Sequence, residues 1–151
     1  MQIMFFGMGK EIGSVRTDCT GTECRTRLNF EGGGEKASGP SEFDYGSLLD
    51  WKTRWQSVAI DGKEKVNGED AYVVTKVTND GQREIDYVSA TSYLPLKREP
   101  EILVNGVLMR AGSETFADYR NVGGILVPMR LQGSMLTLGQ FSAVVREVNR
   151  G

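Results

Sequence analysis

Cys19 and Cys24 are the residues of this 151-residue chain best equipped for chemistry, and they are its only two cysteines. They stand in Asp18-Cys-Thr-Gly-Thr-Glu-Cys-Arg25, a C-x4-C spacing with Gly21 near its centre. That spacing sets both at the mouth of a hairpin loop, where facing positions meet disulfide geometry at a Cα separation of about 5.5 Å. Three states remain open. A structural disulfide would imply an oxidising compartment. Two unlinked thiols would be inert, and a redox pair would depart from the C-x-x-C spacing at a helix start. A zinc site would need a second C-x-x-C or a histidine partner, and the chain has neither.

The absence of histidine reaches further. It removes Ser-His-Asp and Cys-His catalysis, imidazole metal ligation and the usual near-neutral proton shuttle from this domain. Gly7-Met8-Gly9 lacks the third glycine and the helix of a phosphate-binding turn, and Gly32-Gly33-Gly34 lacks the Lys-Ser/Thr of a P-loop. Asp118-Tyr119-Arg120 offers an acid and a base, but on a strand Asp118 and Arg120 share a side and make a surface ion pair. Trp51 and Trp55 could form a stacking platform, although aromatics at helical spacing more often belong to a core. No catalytic residue, metal ligand or cofactor site is assigned, and the residues that would bind a ligand stay unknown.

The elements that must position these groups are mainly strands. Asn67-Gly68, Asn79-Asp80-Gly81, Thr91-Ser92, Asn105-Gly106, Gly123-Gly124 and Gln132-Gly133-Ser134 are turn signals that cut the second half into short alternating runs. Ala71–Thr78 should pair with Arg83–Ala90, and Pro95 marks an edge, a strand start or a bend. Val58, Ile60 and Val66 fall on even positions, as though on one apolar side, and Phe116 and Tyr119 fall on opposite sides. The first thirty residues predict strands over Gln2–Phe6, Glu11–Asp18 and Glu23–Phe30, followed by a loop over Glu31–Pro40. A helix is predicted within Ser41–Trp55, with Ser47 as N-cap and Leu48, Trp51 and Trp55 on one face. The fold class is therefore mainly β: an antiparallel up-and-down meander of nine to eleven strands, one side more apolar, curled into a half-open barrel with at most one or two short helices.

Length and composition predict a single domain over residues 1–151. A net charge of −2 with interleaved signs gives no basic footprint for nucleic acid. No apolar run is long enough for a membrane helix, and Met1–Met8 is too short for a secretory signal. An apolar strand beginning at the first residue points to a segment of a longer polypeptide, with Met1 an added initiator.

Four phrases then stand in a familiar order. Gly62-Lys-Glu-Lys-Val66-Asn-Gly68-Glu-Asp-Ala71-Tyr72-Val73-Val74 is followed by Ser89–Arg98, by Asp118-Tyr119-Arg120-Asn-Val122-Gly-Gly124-Ile-Leu-Val-Pro128, and by Val145-Arg-Glu-Val148-Asn149. Over residues 58–149 the chain resembles the outer-membrane lipoprotein-sorting (LolA/LolB-like) superfamily; residues 1–50 match it poorly. The resemblance implies a half-open antiparallel barrel packed on helices, an apolar concavity that receives acyl chains in some members, and export to the periplasm or cell envelope. It carries over no catalytic residues. The leading expectation is a non-enzymatic domain that binds a lipid-like ligand or serves as an accessory domain of a larger envelope protein. The alternative is an interaction module whose exposed strand edges, near Pro95 or at the first strand, pair with a homodimer partner or an upstream domain of the same polypeptide.

Overall fold

The computed structural model describes residues 2–20, 23–30, 33–38, 51–136 and 139–147. Among the described residues it forms one antiparallel sheet of 12 strands with one helical turn, α1 (Trp51–Arg54). The strands are β1 (Gln2–Gly7), β2 (Lys10–Thr20), β3 (Glu23–Phe30), β4 (Gly33–Ser38), β5 (Trp55–Val66), β6 (Glu69–Thr78), β7 (Arg83–Ser89), β8 (Pro95–Val104), β9 (Val107–Arg110), β10 (Gly112–Val122), β11 (Ile125–Met135) and β12 (Gly139–Glu147). Their spatial order is β4-β3-β2-β1-β12-β11-β10-β8-β7-β6-β5, with β9 paired to the far end of β8. Neighbours in sequence are neighbours in space except where β1 meets β12, β8 meets β10 and the chain passes from β4 to β5. This is the expected up-and-down meander, left open between the two edges β4 and β5.

Local chemistry accounts for the tight connections. Asn67-Gly68 and Asn105-Gly106 both take positive φ, 50° and 85° in the first and 50° and 80° in the second. That is the backbone of a two-residue type I′ hairpin, which asparagine tolerates and glycine adopts freely. Pro95 opens β8, so its missing N–H removes no bond from the middle of a ladder.

Several expectations need correction. Glu31–Pro40 is not loop throughout, because Gly33–Ser38 pairs with β3 as an edge strand. An edge strand can lack apolar alternation, which is why composition read it as a loop. Of the helix predicted within Ser41–Trp55, Trp51–Arg54 is helical and Trp55 already belongs to β5, while 41–50 lie outside the described residues. Gln132-Gly133-Ser134 lies inside β11, with the chain turning at Leu136 instead. Gly133 and Gly112 serve close approach there: a Cβ on Gly133 would lie 2.2 Å from the Ser113 carbonyl oxygen, and one on Gly112 would lie 2.4 Å from that of Ser134.

The apolar side expected to be shared by Val58, Ile60 and Val66 is also corrected. Directly paired residues share a face, so the ladders can be followed across the sheet. One face carries Ile60, Val74, Asp86, Arg98, Glu114, Gly133 and Phe141 in a row, with Phe116, Leu131, Ala143 and Phe5 in the next. The other carries Val73, Tyr87, Lys97, Thr115, Gln132, Ser142 and Phe6. The cluster Ile3, Leu131, Phe141, Ala143 and Val145 sits on the first face, and the cluster Val66, Ala71 and Tyr87 on the second. Val58 and Ile60 part company with Val66 because the ladder slips one residue between Ile60 and Gly62. That bulge reverses the facing of everything beyond it, and Ile60 is left 68% exposed.

Candidate ligand-binding face

The first face changes character across the sheet. Over β1, β10, β11 and β12 it is apolar: Ile3, Leu131, Phe141, Ala143 and Val145 are 0–6% exposed. Phe5, Phe116, Met129 and Met135 pack around them, only partly buried, and the Phe5 and Phe141 rings lie 5.7 Å apart at a tilt of 44°. Burial this deep exceeds what an uncovered flat sheet can give, so this part of the face is shielded from water.

Over β6, β7 and β8 the same face is charged. Lys76 pairs with Glu84 and, at 2.6 Å, with Asp86; Arg98 pairs with Asp86 at 2.9 Å and Glu84 at 3.2 Å. The four side chains form a closed square of alternating sign, two-thirds or more shielded from water. Glu114, opposite Arg98 on β10, is also buried. Burial alone would make the Arg98 guanidinium easier to deprotonate, but Asp86 and Glu84 overcome it and hold Arg98 firmly charged. The square is bounded by rings: Lys76 Nζ lies 4.6 Å from the Trp55 ring centre, and the Arg98 guanidinium lies 5.7 Å from that of Phe116. Arg98 over Phe116 is the seam at which the charged half meets the apolar half.

The opposite face holds a second buried polar group. Glu99, 2% exposed, accepts a 3.1 Å bond from the Tyr87 hydroxyl and pairs with Lys97 at 2.6 Å and Arg110 at 3.2 Å. Burial would raise the Glu99 carboxyl, yet the bonds from Lys97 and Tyr87 keep it below the ordinary glutamate value. Tyr87 is pushed up to about 12, chiefly by burial and then by its bond to Glu99.

The residues singled out in the sequence are dispersed. Cys19 and Cys24 are direct cross-strand partners at the end of the β2–β3 ladder. Asp118 and Arg120 make the expected pair at 2.8 Å, and Tyr119 turns the other way, donating a 2.6 Å bond to the Pro95 carbonyl. Trp55 stands at the start of β5 and caps the charged square. Sequence reasoning missed the square itself, although Lys76, Glu84, Asp86 and Arg98 could have been found by pairing consecutive strands across their turns. A shallow pocket of about 370 Å³ lies at the strand ends beside Phe6, Gln132, Gln140 and Ser142; it is not the greasy hollow expected of this fold. Among the described residues no helix is long and apolar enough to cross a membrane.

No family model matches the chain, and no curated protein does. Solved structures do. The fold is similar to a proposed outer membrane lipoprotein-sorting protein domain from Vibrio parahaemolyticus (15% identity, TM-score 0.57, 95% of this chain and 80% of that one). It is similar to a DUF1329-family protein from Desulfovibrio piger (14%, TM-score 0.59, 95% and 80%). A LolA-superfamily protein from Nitrosomonas europaea also matches (15%, TM-score 0.55, 98% and 84%). The likeness runs through nearly the whole chain, including the front third whose phrases were unfamiliar, so the chain has the open antiparallel fold of LolA-like lipoprotein-sorting domains.

Proposed function

We propose that this domain is a non-catalytic, exported binding module of the bacterial envelope. It holds an amphipathic, lipid-like ligand along the first face. The observation that carries this reading is the continuity of that face: an apolar floor on β1 and β10–β12 runs into the charged square on β6–β8. An acyl chain over the floor would gain about 0.8 kcal/mol per buried CH₂, and its polar end would meet the ion pairs at the Arg98–Phe116 seam. The inner floor residues are shielded, so entry runs over the partly buried rim of Phe5, Phe116 and Met129. The fold likeness to a lipoprotein-sorting domain supports the same reading without naming a ligand.

Native mass spectrometry of protein exported in a bacterium and purified without detergent tests it. A co-purifying lipid mass, or uptake of added fatty acid or phospholipid, is expected in the wild type and lost in Phe116→Glu. Failure of the wild type to carry or accept either would overturn the reading.

One feature favours a second role, self-association. The edges first considered are not available: β8 and β1 lie inside the sheet. The β8–β9 arm instead exposes Leu103 and Val104 opposite Leu108 and Val107, with Val107 62% exposed. Leu103 and Leu108 lie on one face of the arm and Val104 and Val107 on the other, and exposed apolar side chains of this kind mark contact with another surface, here a second copy. Sedimentation should show a dimer that Leu108→Ser weakens; a monomer at all concentrations would dismiss it.

A further inference from the structure

We infer that Cys19 and Cys24 form a disulfide that clamps the end of the β2–β3 hairpin. Their backbone positions are direct partners in the ladder, one step in from the terminal pair Thr20 and Glu23. Only residues 21 and 22 separate that terminal pair in sequence. When an antiparallel ladder closes over two residues, the pair flanking them exchanges both backbone hydrogen bonds. The next pair inward is then a non-hydrogen-bonded one, in which Cα atoms approach to about 4.5 Å and side chains come closest. That separation lies within the range of about 4.4–6.8 Å that disulfides span without moving the backbone. A register one residue different would have sent the two cysteines to opposite faces of the hairpin. The chain has no other cysteine, so no competing intramolecular pairing exists.

The oxidation balances against a small-molecule disulfide such as oxidised glutathione. One cysteine thiolate attacks it, forming a mixed disulfide and releasing one glutathione thiolate. The second cysteine thiolate then displaces the other glutathione, closing the protein S–S bond. Two protein thiols have lost two protons and two electrons, and the oxidant has become two thiols. The enclosed loop is short, so the bond acts locally, holding β2 and β3 in register next to the β4 edge.

The whole protein, incubated with excess oxidised glutathione and then alkylated without reduction, provides the test. The intact mass should fall below that of the reduced protein by two hydrogen atoms, with no alkyl adduct. Both adducts should appear after reduction, and the loss should map to the tryptic peptide 17–25. Reduction should speed amide exchange in β2 and β3 on the order of tenfold and leave β10–β12 unchanged. Two alkylated cysteines in the native protein, stable glutathione adducts, or a dimer linked through cysteine would each overturn the proposal. The readout uses the wild type alone and is independent of ligand binding.

Discussion

The two halves of the first face are built from the same ladders, yet they are held by different physics. On β1 and β10–β12, Glu114 apart, the side chains are apolar and the central ones almost dry, and their contribution scales with the area and packing they bury. On β6–β8 four charges are shielded nearly as well, and their mutual attraction mainly offsets the cost of taking them out of water. The apolar half therefore stabilises the fold in its own right. The charged half is close to neutral for stability while intact and costly when broken. A feature that adds little stability but demands a complete set of partners fits a site better than a scaffold.

Mutations can break or sharpen this contrast. The largest loss is expected from Phe141→Ala, which empties the centre of the apolar cluster and should cost about 4 kcal/mol in chemical denaturation; a loss below 1 kcal/mol would mean that half is not the core. Arg98→Met strands Asp86 and Glu84 in a shielded site and should cost about 3 kcal/mol. Adding Asp86→Leu, Glu84→Gln and Lys76→Met to it, so that no shielded charge is left alone, should restore most of that stability but not lipid uptake. Restoration of both would show that the square is only structural. Tyr87→Phe tests the opposite face. Because burial raises the Tyr87 hydroxyl from 10 to about 12, the unfolded chain ionises first as pH rises. The wild type should therefore lose stability progressively above pH 10, by up to about 2 kcal/mol by pH 12. The variant's denaturation curve should be flatter over that window, with ligand uptake unchanged. Asn105→Ala should have the smallest effect, about 1 kcal/mol, because alanine pays for the positive φ that asparagine tolerates; thermal melting would register it.

Much of the architecture was legible in the residues. Asn67-Gly68 and Asn105-Gly106 demand the backbone they adopt, and Pro95 excludes itself from a ladder interior. Gln132-Gly133-Ser134 misled because a glycine spared a Cβ for close strand approach looks the same in sequence as one that allows a turn. Gly33–Ser38 misled because an edge strand need not alternate. The candidate site was less legible: Lys76, Glu84, Asp86 and Arg98 lie on three strands, and they read as ordinary surface charges until the ladders place them together.

Strand alternation, hairpin chemistry and the absence of histidine follow from local geometry and side-chain chemistry, so the order of residues alone decided them. Which face each alternation serves could not be decided that way, because one inserted residue at the Asp61 bulge reverses every side chain beyond it. The division of a single face into dry and charged halves depends on register summed over successive ladders. That sum is a property of the assembled sheet, and only the tertiary structure contains it.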